Sequence, residues 1–147
     1  MVSFGGTDGG YALYVKDGKL QYVHNYVARD YLNVASTEPV PAGRHKLRYE
    51  FEVTGKPDMA KGKGTPGCAQ LYIDGKLVGQ ADFPVTTPLS LGLTGGLVVG
   101  ADPGAPVAPF YDSPFEFTGT VYSVTFDVSG DVIKDHEAEM RAILARQ

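Results

Sequence analysis

The chain has 147 residues, with 13 basic and 17 acidic side chains and a formal charge of −4, a length that one domain with its own core can fill. Its 19 glycines and 10 prolines exceed the usual share of about 12 %, so the backbone turns often and long helices are disfavoured. The acidic balance argues against non-specific nucleic-acid binding, and the 43 % hydrophobic content against disorder. No apolar run approaches the roughly 18 residues of a membrane span. The single cysteine, Cys68, excludes an internal disulfide and a cysteine-built zinc site.

From the N-terminus, Met1–Gly6 shows no basic stretch followed by a long apolar one, so no secretory signal is expected and a cytoplasmic location is. Gly5-Gly6-Thr7-Asp8-Gly9-Gly10 lacks the Gly-Lys-Ser/Thr ending of a phosphate loop and reads as a turn. Tyr11–Lys16 and Lys19–His24 flank Asp17-Gly18, a pair suited to the two positive φ angles of a type I′ hairpin. In 45–53, His45, Leu47, Tyr49, Phe51 and Val53 alternate with Lys46, Arg48, Glu50 and Glu52. Such a period of two predicts a strand with one buried and one wet face.

The Gly/Lys-rich stretch 54–66 reads as a long exposed loop. Ala69–Ile73 and Lys76–Gln80 form a second hairpin across Asp74-Gly75. Leu89–Leu93 and Leu97–Val99 read as short buried strands, and 100–114 as a second long loop. Alternation returns in 121–128, where Tyr122, Val124, Phe126 and Val128 share a face. Leu47, Tyr49, Phe51, Tyr122, Val124 and Phe126 are therefore the expected core of these two strands. Only 135–147 reads as helix, with acids early, bases late and an apolar stripe of Met140, Ile143 and Leu144. Many short strands at near-regular spacing predict an all-β, antiparallel jelly-roll β-sandwich over 1–147, ending in that short helix.

Little catalytic chemistry is written in the chain. Glu50 and Glu52 stand at a spacing of paired glycosidase carboxylates, about 6–7 Å along a strand. Lys46 and Arg48 share their face and favour both carboxylates ionised, so a solvated charged face is expected. His24, His45 and His136 form no metal-binding spacing. His45 is expected to pack at the boundary of the apolar face, and His24 to end its strand at a surface. Asp102 and Asp112, with nearby carbonyls, are the weak calcium candidates. Of nine tyrosines, those within strands belong to the sheets, which leaves Tyr26, Tyr31 and Tyr111 as candidate ligand contacts.

A family resemblance adds to these readings. Gly9–Leu20 and Tyr22-Val23-His24-Asn25-Tyr26 resemble the start of the C-terminal domain of bacterial arylsulfatases. The resemblance continues through Glu38–His45, Gly67–Gly79, Gly100–Gly104 and Phe117–Val121, covering nearly the whole chain. It implies a concanavalin/laminin-G-like sandwich without catalytic groups. The family's activity, sulfuric ester hydrolysis, belongs to a separate α/β domain with a formylglycine made in a Cys/Ser-x-Pro-x-Arg motif. Cys68 is followed by Ala69-Gln70-Leu71-Tyr72, so that motif is missing and no catalytic residue carries over. The expected function is a non-catalytic accessory or assembly domain of an arylsulfatase. The alternative is a stand-alone carbohydrate- or ligand-binding, lectin-like module. Expected partners are a sulfatase catalytic domain or a second copy, paired through a shortened, open N-terminal strand or the C-terminal helix.

Overall fold

A computed structural model describes residues 1–89 and 91–130. Its strands are β1 (Val2–Gly6), β2 (Gly9–Lys16), β3 (Lys19–Tyr26), β4 (Asp30–Ala35), β5 (Leu47–Val53), β6 (Gly67–Ile73), β7 (Lys76–Phe83), β8 (Leu97–Val99), β9 (Ala101–Asp102) and β10 (Phe115–Glu116). One turn of 3-10 helix, Met59–Lys61, interrupts the loop after β5. The chain is all-β, and its ladders are antiparallel. They make a five-stranded sheet in the order β4-β3-β2-β1-β8, a three-stranded sheet β5-β6-β7, and the small pair β10-β9.

Both Asp-Gly hairpins form as their sequence predicts. Lys16 pairs with Lys19 and Ile73 with Lys76. Asp17, Gly18, Asp74 and Gly75 all take positive φ, the type I′ geometry that matches strand twist. Close backbone approach explains the first glycine run. Gly5 and Gly10 pair across β1 and β2 at φ +101° and +140°, and a Cβ on either would strike the opposite strand's backbone.

The two sheets meet face to face. Leu20, Tyr22 and Val34 of the larger sheet pack with Ala69, Leu71, Ile73, Val78 and Phe83 of the smaller, while Leu47, Tyr49 and Phe51 stand half-buried at the margin. Beyond β4 the chain crosses between the sheets: the Ser36 N–H donates to Leu20 C=O, and the Thr37 N–H to Val78 C=O. The other face of the larger sheet is covered as well. Ala12, Tyr14 and Val23 pack against Val107, Ala108 and Tyr111 of the stretch expected only as a loop.

Several expectations are corrected. The segment 121–128 is not a strand, and Tyr122 and Phe126 are 67 % and 50 % exposed, because no neighbouring strand pairs with it among the described residues. Residues 89 and 91–92 turn rather than extend, and Leu89 and Leu91 are exposed. Residues 97–99 are a strand, but at the sheet margin, with Leu97 and Val99 half-exposed. The N-terminal strand is no open edge: β1 is paired on one side with β2 and on the other with β8. Strand β4 was not expected at all. The predicted helix 135–147 lies outside the described residues.

Candidate functional site

The inward face of the larger sheet carries a row of aromatic side chains. Register places Phe4, Tyr11 and His24 side by side across β1, β2 and β3, with Tyr22 two residues before His24 on the same face. From the smaller sheet, β5 brings Tyr49 against Tyr22, rings nearly parallel with centroids 3.7 Å apart. Tyr11 lies roughly parallel to Tyr22 as well, with centroids 6.3 Å apart. At the open end of this stack lies a cleft of about 330 Å³, near the lower limit of small-ligand pockets, about 300–1,000 Å³. Its walls are Tyr11, Tyr22, Tyr49 and Phe51, with Leu89 and Leu93, from between β7 and β8, completing them. Thr65, Thr86 and Thr87 supply hydroxyls. None of the lining side chains is a carboxylate, lysine or arginine.

His24 is the one titratable base in the cleft. The Thr87 N–H donates to its Nε2 at 3.0 Å, and the Thr87 hydroxyl lies 3.1 Å from the same nitrogen. A backbone N–H can only donate, so Nε2 accepts and the neutral ring carries its proton on Nδ1. Burial lowers its pKa from 6.5 to about 4, since the charged ring would lose its hydration. Burial also raises the phenols: Tyr49 to about 12, Tyr11 upward, and Tyr22 well above the ordinary 10. At neutral pH the cleft therefore offers uncharged donors and aromatic faces. Such a surface can bind an uncharged ring-bearing ligand, and it holds no activated nucleophile.

The sequence-selected residues fall elsewhere. Tyr26 is buried, and its hydroxyl donates to Gly62 C=O at 2.8 Å, tying down the 54–66 loop. Tyr31 sits edge-on to Phe110 on the opposite face. Tyr111 is buried there too: its hydroxyl donates to Asp102 Oδ2 at 2.6 Å and accepts the Val107 N–H at 3.2 Å. Burial, with Asp102 beside it, pushes its pKa up. Asp102 is itself buried, while Asp112 is exposed. Among the described residues, no group of three or more His, Cys, Asp and Glu side chains could hold a metal ion. Nor is any helix among them long and apolar enough to cross a membrane.

His24 lies within β3 and lines the cleft instead of ending its strand at a surface. His45 sits at the second hairpin's turn, where Nδ1 meets Asp74 Oδ2 at 2.6 Å and Nε2 faces Ala42 C=O. Those acceptors, Asp74 first, raise its pKa. Glu50 pairs with Arg48 at 2.6 Å on the wet face of β5, and the free Cys68 is half-buried on β6. Sequence reasoning assigned Tyr11, Tyr22 and Tyr49 to the sheets and so passed over their shared cleft. Alternation could have placed them on one face, but not the pairing of β3 against β5. Comparison with family models, curated proteins and solved structures gives no match for this chain.

Proposed function

We propose that the chain is a non-catalytic accessory domain that docks on a catalytic partner, as the C-terminal domain of an arylsulfatase does. In this reading its two facing sheets are a jelly-roll sandwich of the concanavalin/laminin-G-like type. The observation behind it is the open edge of β8. Paired only with β1 among the described residues, β8 leaves its outer side free and carries Leu97 and Val99 at 49 % and 47 % exposure. A strand edge with exposed apolar side chains recruits a partner. The resembling segments are framework: Gly9–Leu20 and Gly67–Gly79 build the two Asp-Gly hairpins. The purified chain is expected not to turn over a nitrophenyl sulfate. It is expected to co-elute with an arylsulfatase catalytic domain stripped of its own C-terminal domain, and the Leu97→Lys/Val99→Lys variant is not. Turnover abolished by a point substitution in this chain, or equal co-elution of the variant, overturns the reading.

The cleft favours a second reading, a ligand-binding module of lectin-like type. Tyr26 and Tyr111 are buried, so the stacking platform in this reading is Tyr11 with Tyr49. The chain has no tryptophan, so tyrosine emission can be followed directly, and its comparison with Tyr49→Ala assigns any quenching to the cleft. Titration with neutral oligosaccharides, with calcium and with a chelator, is the check. Saturable quenching lost in Tyr49→Ala supports the module, and none at millimolar sugar removes it.

A further inference from the structure

The smaller sheet covers only part of the larger one. Its strands β6 and β7 lie over β3 and β4, and β5 reaches Tyr22 on β3 and the Tyr11 side of the cleft. On its outer side β5 pairs with no strand among the described residues, and across the sandwich from that side stand the half-buried Tyr11 and Phe4 of β2 and β1.

The backbone of β5 shows this edge to be unpaired among the described residues. At the two ends of the β5–β6 ladder, the Asp74 N–H donates to Lys46 C=O and the Thr54 N–H to Pro66 C=O. Bonded and non-bonded pairs alternate along an antiparallel ladder. Arg48, Glu50 and Glu52 therefore turn their backbone groups toward β6. Leu47, Tyr49, Phe51 and Val53 turn theirs away, toward the lane beside β5, and no backbone bond among the described residues reaches them. An edge of this kind, four residues with apolar inward side chains, is a template for another strand.

We propose that the lane beside β5 is a strand-binding site and that its occupant is the chain's own segment 121–128. The segment has the pattern that the lane needs: Tyr122, Val124, Phe126 and Val128 on one side, Ser123, Thr125 and Asp127 on the other. Those four apolar residues are between 37 % and 88 % exposed, a large apolar surface to leave in water. Eight residues of strand span about 26 Å, enough to run the length of the seven-residue β5. The segment is also tethered nearby. The Arg44 guanidinium, three residues before β5, lies 4.3 Å over the Tyr122 ring, a cation–π contact. Seated, the segment adds its polar side chains to the wet face formed by Arg48, Glu50 and Glu52. It also closes the open side of the cleft, so its release governs access to Tyr49 and His24.

Residue-resolved hydrogen exchange on the full chain tests this. With the segment seated, the amides of Leu47, Tyr49, Phe51 and Val53 exchange about 100-fold more slowly than in Phe126→Asp or Val124→Pro. The amides of Arg48, Glu50 and Glu52, bonded to β6, stay protected in all three proteins, which separates release of the segment from unfolding. Fast exchange at the four lane amides of the unsubstituted chain overturns the proposal, as does protection that neither variant removes. Protection that appears only as protein concentration rises, with a dimer in light scattering, replaces the occupant with a second copy and equally overturns it.

Discussion

The two faces of the five-stranded sheet are buried by different kinds of cover. Over Leu20, Tyr22 and Val34 lies a second sheet, whose three strands are held to one another by the β5–β6 and β6–β7 ladders. Over Ala12, Tyr14 and Val23 lies an irregular stretch around Val107, Ala108 and Tyr111, which has no such ladder and must be latched by side chains. Asn25, fully buried, places Nδ2 within 3.1 Å of the carbonyls of Gly6, Thr7 and Val107. Lys16 Nζ donates to Phe110 C=O, and Ser113 Oγ to the carbonyls of Asp102 and Gly104. A sheet face can thus be closed by regular alternation or by a few polar anchors. The first cover should fail through cavities and the second through lost hydrogen bonds.

The largest effect is expected on the sheet-covered face. Leu71→Ala, at a fully buried site in that cluster, should cost about 2–5 kcal/mol in a denaturant melt. Acid acts on the same face through His24. Between pH 6.5 and its folded value near 4, the unfolded chain binds a proton that the folded chain refuses. Stability should therefore fall by up to about 3 kcal/mol over that window. A His24→Gln variant should flatten the loss. His45 has the opposite sign. Its pKa is raised, so its contribution is complete below pH 6.5 and is lost as pH rises through the folded value, a trend that an NMR titration of the two rings separates.

On the loop-covered face the effects should be smaller and local. Asn25→Ala strips a donor from buried carbonyls and should cost about 2 kcal/mol, with faster hydrogen exchange around 105–111 and little change in β6. Tyr111→Phe removes the hydroxyl shared by Asp102 and the Val107 N–H and should cost about 1–2 kcal/mol. Equal acceleration of exchange on both faces in Asn25→Ala would break the distinction between the two covers.

The regular cover was the legible one. Asp-Gly turns announced both hairpins because few residue pairs adopt two consecutive positive φ angles, and the alternation of 45–53 gave the orientation of β5. The same alternation in 121–128 gave no strand, since a pattern specifies a face but supplies no neighbour to pair with. Strand β4 escaped notice because its turn runs through Val27 and Ala28 at positive φ, residues that signal no turn. Asn25 Oδ1 holds that turn by accepting the Ala28 N–H at 2.7 Å. Nor does sequence reveal that 100–116 covers a sheet, because its buried Val107, Ala108 and Tyr111 do not alternate as in a strand, and Pro106 and Pro109 bar the helix that their spacing would suit. The cleft depended on the same missing information. Its tyrosines were visible one strand at a time, and only the packing of β5 on β3 brings them together.

Thermal melting of an arylsulfatase catalytic domain, stripped of its own C-terminal domain and mixed with this chain, tests the accessory-domain reading most directly. A partner that binds only the folded state stabilises it by mass action. At a concentration ten times the dissociation constant, the catalytic domain's transition should rise by about 2 °C. Leu97→Lys/Val99→Lys should abolish that rise without altering this chain's own melt. An unchanged catalytic-domain transition with excess chain at high micromolar concentration would contradict the account.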